Sequence, residues 1–118
     1  MLLSEGVHKH GNLVIAHATR SKAFTVAWKG KVDIVTCLPI GAPLDEAAAM
    51  MKDDGRVSVP TLIIEKAILN AKNFSSLKYA PAKVSAAQLH RASVPILTGT
   101  DANQTPMAPV KHRESLHE

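Results

Sequence analysis

His17 and Asp101 are the residues whose types and settings point most directly to chemistry. His17 follows the apolar run Leu13-Val14-Ile15-Ala16. An imidazole at the end of a buried strand has its direction fixed by the backbone and can ligate a metal ion. The competing reading is a histidine that hydrogen-bonds the strand terminus. Asp101 closes Ile96-Leu97-Thr98-Gly99-Thr100-Asp101, in which Gly99 permits a close turn. A carboxylate there can bind a metal and accept a proton from bound water. It can equally form an Asp turn or cap a helix. Cys37 stands in the corresponding place after the apolar run 32–36. A thiolate would be a soft metal ligand, whereas a buried thiol behaves as a small apolar residue. It is the only cysteine, so no C-x-x-C spacing supports a zinc site.

The other histidines read as solvated side chains. His112 and His117 are five apart, unlike the i, i+4 pair of H-E-x-x-H. His8 and His10 are too close to share a helix face, and His90 falls on a polar helix flank. The sequence contains no G-x-x-x-x-G-K-[ST] phosphate loop, no G-x-G-x-x-G fingerprint and no G-x-S-x-G elbow.

The elements that must position these residues alternate. A helix over LLSEGVHKH, stopped by Gly11, precedes the strand 13–16. Ser21 caps a helix through Lys29 with Gly30 as its stop, and Val32–Thr36 is the second strand. Asp45 caps a helix closed by Gly55. Val57–Leu62 is the third strand, with continuation to Ile64, and Glu65–Lys72 is helical. Residues 73–79 read as loop, Ala82–Ala92 as a helix behind Pro81, and Pro95–Thr98 as the fourth strand. The tail from Gln104 is a proline-bearing loop that can turn helical at Glu114. Strand–helix alternation predicts an α/β fold with parallel strands. Polar or reactive residues stand at three of the four strand ends, the active face of such folds. An eight-stranded barrel spends about 30 residues per strand–helix unit, so 118 residues match half a barrel.

Composition narrows the function classes. Hydrophobic residues are 46% and charged residues 20%, enough to bury a core. Aromatics at 3% are too few for a base-stacking platform. The net charge of +4 comes from scattered basic residues rather than a phosphate-binding stripe, so no nucleic-acid partner is expected. No apolar run reaches the ~20 residues that span a bilayer, so no membrane partner is expected either. Glu5 and His8 interrupt the place of a signal sequence, and a lone cysteine suits a reducing compartment. The expected location is therefore cytoplasmic.

HGNLVIAHATRSKAFTVAWKGKVDIVTCLP, with PLDE, VSVPTL and VPILTGTDAN, resembles the amidohydrolase superfamily, above all its imidazolonepropionase-like and prolidase-like members. The resemblance covers nearly the whole chain and keeps the elements in order. It implies a partial (β/α)8 TIM barrel, strands 5 to 8 with their helices, so that residues 1–118 would form the C-terminal half of a truncated barrel domain. It also implies metal-dependent hydrolysis of carbon–nitrogen bonds in a small amide-type substrate. In that family a divalent metal, zinc above all, activates water, and an aspartate takes the proton. By the resemblance His17 is the strand-5 metal ligand, and Asp101 is the strand-8 ligand and catalytic proton acceptor. Cys37 stands where a strand-6 histidine is expected, and His112 is a substrate-side residue. His8-Lys9-His10 spells the family's strand-1 H-x-H pair but precedes strand 5, and the strand-4 lysine has no counterpart. Two of the expected ligands remain, so the isolated chain is expected to be a weak catalyst or none. The alternatives are self-association through exposed sheet edges, joining of a separate N-terminal half, or a non-enzymatic binding module.

Overall fold

Short runs rich in β-branched residues form the strands, and the small and long-chain residues between them form the helices. The computed structural model describes residues 3–44, 47–72 and 78–101. Its strands are β1 (Ile15–His17), β2 (Ile34–Thr36) and β3 (Val57–Val59). The helices are α1 (Leu3–His8), α2 (Ser21–Lys29), α3 (Ala47–Asp53), α4 (Leu62–Lys72) and α5 (Ala80–Arg91). The sheet is parallel in the order β1-β2-β3, with Ile15 opposite Ile34 and Ile34 opposite Val57. Ile96 adds a parallel bridge to Ser58, so a fourth strand position follows β3. Neighbours in the sheet are thus neighbours in sequence. The order never reverses, unlike that of a doubly wound sheet.

Several boundaries differ from the sequence expectation. The third strand stops at Val59, because Pro60 has no N–H and Thr61 is left-handed (φ 48°). Leu62–Ile64 therefore open α4 instead of extending the strand. His17 is the last residue of β1 rather than the residue after it. The fourth run makes one bridge and no longer ladder. Helix α5 starts at Ala80, with Pro81 in its first turn. Gly11 (φ 73°) and Gly55 (φ 68°) end their helices as expected, but after α2 the left-handed residue is Lys31 (φ 56°), not Gly30. Asp45, most of the loop 73–79 and the tail from Ala102 lie outside the described residues.

Strand alternation sorts the side chains onto two faces. Ala16, Val35 and Ser58 face the helices, where Phe24, Leu38, Met51 and Leu89 form a closed core with Val35. The opposite face carries Ile15, Ile34 and Val57, then His17, Thr36 and Val59, none of them fully buried. Ser58 is the polar exception in the core: its hydroxyl has no hydrogen-bond partner among the described residues. Ser58→Ala removes that unpaired group, and a urea titration should show stability raised by about 1–2 kcal/mol.

A polar clamp closes the amino-terminal ends of the strands. Asp33 accepts from the Val14 amide (2.7 Å) and from His8 Nε2 (2.8 Å). The Val14 amide first, and His8 after it, hold the Asp33 carboxyl below its ordinary value against a desolvation effect. His8 is therefore paired, not free in solvent as its sequence setting implied. Beside it Trp28 Nε1 donates to Asp54 (2.9 Å), and Arg56 reaches the same carboxylate at 3.1 Å.

Candidate functional site

The ladder hydrogen bonds continue past the strands into the residues of interest. The Ala18 amide donates to Thr36 O (3.1 Å), and the Cys37 amide donates to Val59 O (2.8 Å). These bonds fix His17 and Cys37 side by side at the carboxyl edge of the sheet. Cys37 Sγ lies 3.2 Å from His17 Nδ1, and the Thr61 hydroxyl donates to the same sulfur at 2.9 Å. Cys37 (φ 67°) and Thr61 (φ 48°), just past β2 and β3, take the left-handed conformation that disfavours side chains, as does Asp101 (φ 50°), five residues beyond the bridge at Ile96. Such strain concentrates where surrounding structure holds a site in place. Gly99 lets the last segment reach this edge: a Cβ there would stand 2.5 Å from Val59 Cγ1.

Burial divides the cluster. His17 and Asp101 are exposed, while Cys37 is buried between the strand ends. Burial pushes the Cys37 thiol up to about 11 despite the Thr61 hydrogen bond, with Glu65 and Asp101 adding to the rise. Cys37 is accordingly a protonated thiol at neutral pH, able to donate to His17 Nδ1. Gly99, two residues before Asp101, lies against Val59 and Thr61, which brings the last segment to the same carboxyl edge. His112 and His117 lie outside the described residues.

Glu65 belongs to this neighbourhood and was not anticipated. It is 2% exposed, and its carboxyl accepts the Leu38 amide next to Cys37. Its other oxygen, Oε2, has no partner among the described residues. Burial pushes its pKa up to about 8, so it carries a proton at neutral pH. The signal was present in Leu62-Ile63-Ile64-Glu65, where a lone acid sits on the apolar stripe of a helix, three residues after Leu62 and four before Leu69. Thr61 had no comparable signal.

The donors in contact at this edge are a nitrogen and a protonated sulfur. Among the described residues, no three His, Cys, Asp or Glu side chains are grouped so as to hold a metal ion. That donor set does not by itself fit the three protein ligands of a catalytic zinc. Also among the described residues, no helix is long and apolar enough to cross a membrane.

A sequential parallel α/β sheet with His17, Cys37 and Thr61 in contact at its carboxyl edge is the class that fold and site define. Solved structures share that fold. An uncharacterized protein matches with TM-score 0.69 and 24% identity over 90% of this chain and 28% of its own. A Xaa-Pro dipeptidase with methionine bound in its active site matches with TM-score 0.62 and 22% identity, over 96% of this chain and 29% of its own. A protein described as an amidohydrolase gives 0.59 and 22%, over 84% and 26%. The chain thus spans between a quarter and a third of the length of these structures. No protein-family profile and no curated protein matches it. At these identities the likeness is one of fold.

Proposed function

We propose that this chain is the strand 5–8 portion of an amidohydrolase-type (β/α)8 barrel. The complete barrel would hydrolyse a carbon–nitrogen bond of a small amide-type molecule, and this portion alone would turn over weakly or not at all. The observation that carries the reading is the contact of His17 with Cys37 at the carboxyl edge of a parallel sheet whose order never reverses, with the segment that leads to Asp101 packed on the same edge at Gly99. The fold shared with a dipeptidase and an amidohydrolase supports it.

In this reading His17 is a metal ligand, Asp101 a ligand and proton acceptor, Cys37 a substituted ligand position and His112 a substrate-side residue. The cofactor implied is a divalent metal, zinc first, and the compartment a reducing cytoplasm. The cage needs donors from strands outside the described sheet, so no hydrolytic step is assigned to this chain alone. The sheet edges are where another segment or chain would join.

The test is zinc retention and amide hydrolysis by the purified chain. Zinc should dialyse away from it, and X-Pro dipeptides and N-acyl amino acids should be cleaved no faster than in buffer. Cys37→His should raise zinc affinity by about tenfold or more, since imidazole replaces a protonated thiol. Stoichiometric zinc with turnover of about 1–1,000 per second would overturn the weak-catalyst reading. An unchanged affinity in Cys37→His would remove position 37 from the ligand set.

A further inference from the structure

Among the described residues the parallel sheet is covered by helices on one face only. On the other, Leu13 is 67% exposed, Ile15 62% and Leu97 53%, with Ile34, Val57 and Val59 half-buried between them. Leu97 joins this face because the bridge of Ile96 to Ser58 sets it level with Val59. Parallel sheets are normally buried on both faces. Among the described residues neither edge has a further ladder partner. Leu13-Val14-Ile15-Ala16 on one side and Pro95-Ile96-Leu97-Thr98 on the other contain no charged residue. Charge is what ordinarily keeps exposed sheet edges from pairing.

We propose that a second copy of this chain covers this face, the two arcs closing one eight-stranded barrel about a two-fold axis parallel to the strands. The inference rests on the half-barrel reading and names the partner. Four features of the sheet select that partner. Its strands are parallel, so both free edges run the same way, and an edge rotated about such an axis keeps that direction. Its order is sequential, so the free edges are β1 and the 95–98 segment, at opposite sides of one sheet. Half a turn sets the 95–98 edge of each copy beside β1 of the other, which uses every edge and leaves none for further growth. Four strand positions doubled give eight, the number at which side chains alone fill the interior. The inward residues Ile15, Ile34, Val57 and Leu97 are the branched apolar types that fill such interiors. Closure would also bring His17 and Asp101 from both copies to one barrel mouth.

Sedimentation equilibrium of the purified chain at micromolar concentration should give twice the 12.6 kDa chain mass. The double variant Ile15→Lys/Leu97→Lys should keep its helical circular dichroism and weaken association by more than about 100-fold, because each lysine places an unpaired charge inside a closed apolar barrel. In a Cys37→Ser background, Ile15→Cys/Leu97→Cys treated with a short bismaleimide should give a covalent dimer and nothing larger. A folded wild-type monomer overturns the proposal, as does a dimer that the lysines leave intact. A cross-linked ladder overturns the closed geometry. None of these results touches the metal-ligand and weak-catalyst readings, which the zinc and turnover assays decide. A monomer that instead associates with a separately expressed strand 1–4 segment of such a barrel would replace the second copy with that partner.

Discussion

Replacing Glu65 by glutamine will flatten the pH dependence of stability and raise stability at pH 8 by about 2–4 kcal/mol, while changing it little at pH 4. The Glu65 carboxyl is lifted from its ordinary 4.5 to about 8 in the folded chain, chiefly by burial and against the pull of the Leu38 amide. Below about pH 4.5 folded and unfolded states both hold the proton, and the group contributes nothing to pH dependence. Between 4.5 and about 8 the unfolded chain releases it and the folded chain does not, so stability falls as pH rises. Above 8 both are ionised and the full penalty remains. Glutamine keeps an oxygen for the Leu38 amide and the same shape, but never ionises. Asp33 works in the opposite direction and in a separate window. Its folded value lies below the ordinary 3.8, so its contribution is present above that value and is lost as pH falls through the folded one. Wild type should therefore be most stable near pH 4–5, and urea midpoints from pH 3 to 9 read both effects. A wild-type midpoint that does not fall between pH 5 and 8 would show that Glu65 is ionised in the folded chain.

Much of this arrangement was legible in the residues, for identifiable reasons. The run LVIA, the VDIVT segment and VSV are short, β-branched and bounded by polar or turn residues, so strand identity followed from local propensity. His17 and Cys37 fell at strand ends because each follows such a run, whereas Asp101 stands five residues beyond the lone bridge at Ile96. The boundary at Val59 was harder. Leu62-Ile63-Ile64 is apolar enough for a strand, and only the missing N–H of Pro60 with the left-handed Thr61 turns it into helix. The fourth strand shrank to one bridge because a strand's length depends on what lies beside it, and on one side of residues 95–98 the described residues offer nothing. Glu65 and the His8–Asp33 pair were missed for a different reason. Each joins residues 25 or more apart in sequence, and although the apolar stripe around Glu65 signals its burial, no local pattern names the partner of either contact. Contact between His17 and Cys37, 20 apart, was recoverable because the strand register dictates it.

Phe24→Ala will cost about 3–5 kcal/mol, enough to unfold much of the population at room temperature. Phe24 is completely buried and is among the largest side chains of the core, packed in the cluster with Val35, Leu38 and Met51. Truncation leaves a cavity that strands and helices cannot both collapse to fill. Ile15→Ala is the informative comparison. In a lone chain Ile15 is mostly exposed, and its truncation removes little buried area, about 0.5 kcal/mol or less. In a closed pair of chains Ile15 lines the barrel interior, and the same truncation costs more than 2 kcal/mol. The two cases separate by concentration. The loss in Phe24→Ala belongs to the fold of each chain and stays constant across a dilution series. The loss in Ile15→Ala belongs to the interface and should shrink as the chain is diluted below its dissociation constant, because mass action then removes the partner from the balance. Thermal midpoints of wild type and both variants over a hundredfold range of concentration make the measurement. If Ile15→Ala instead costs as much as Phe24→Ala at every concentration, the open face of the sheet is covered within the chain itself.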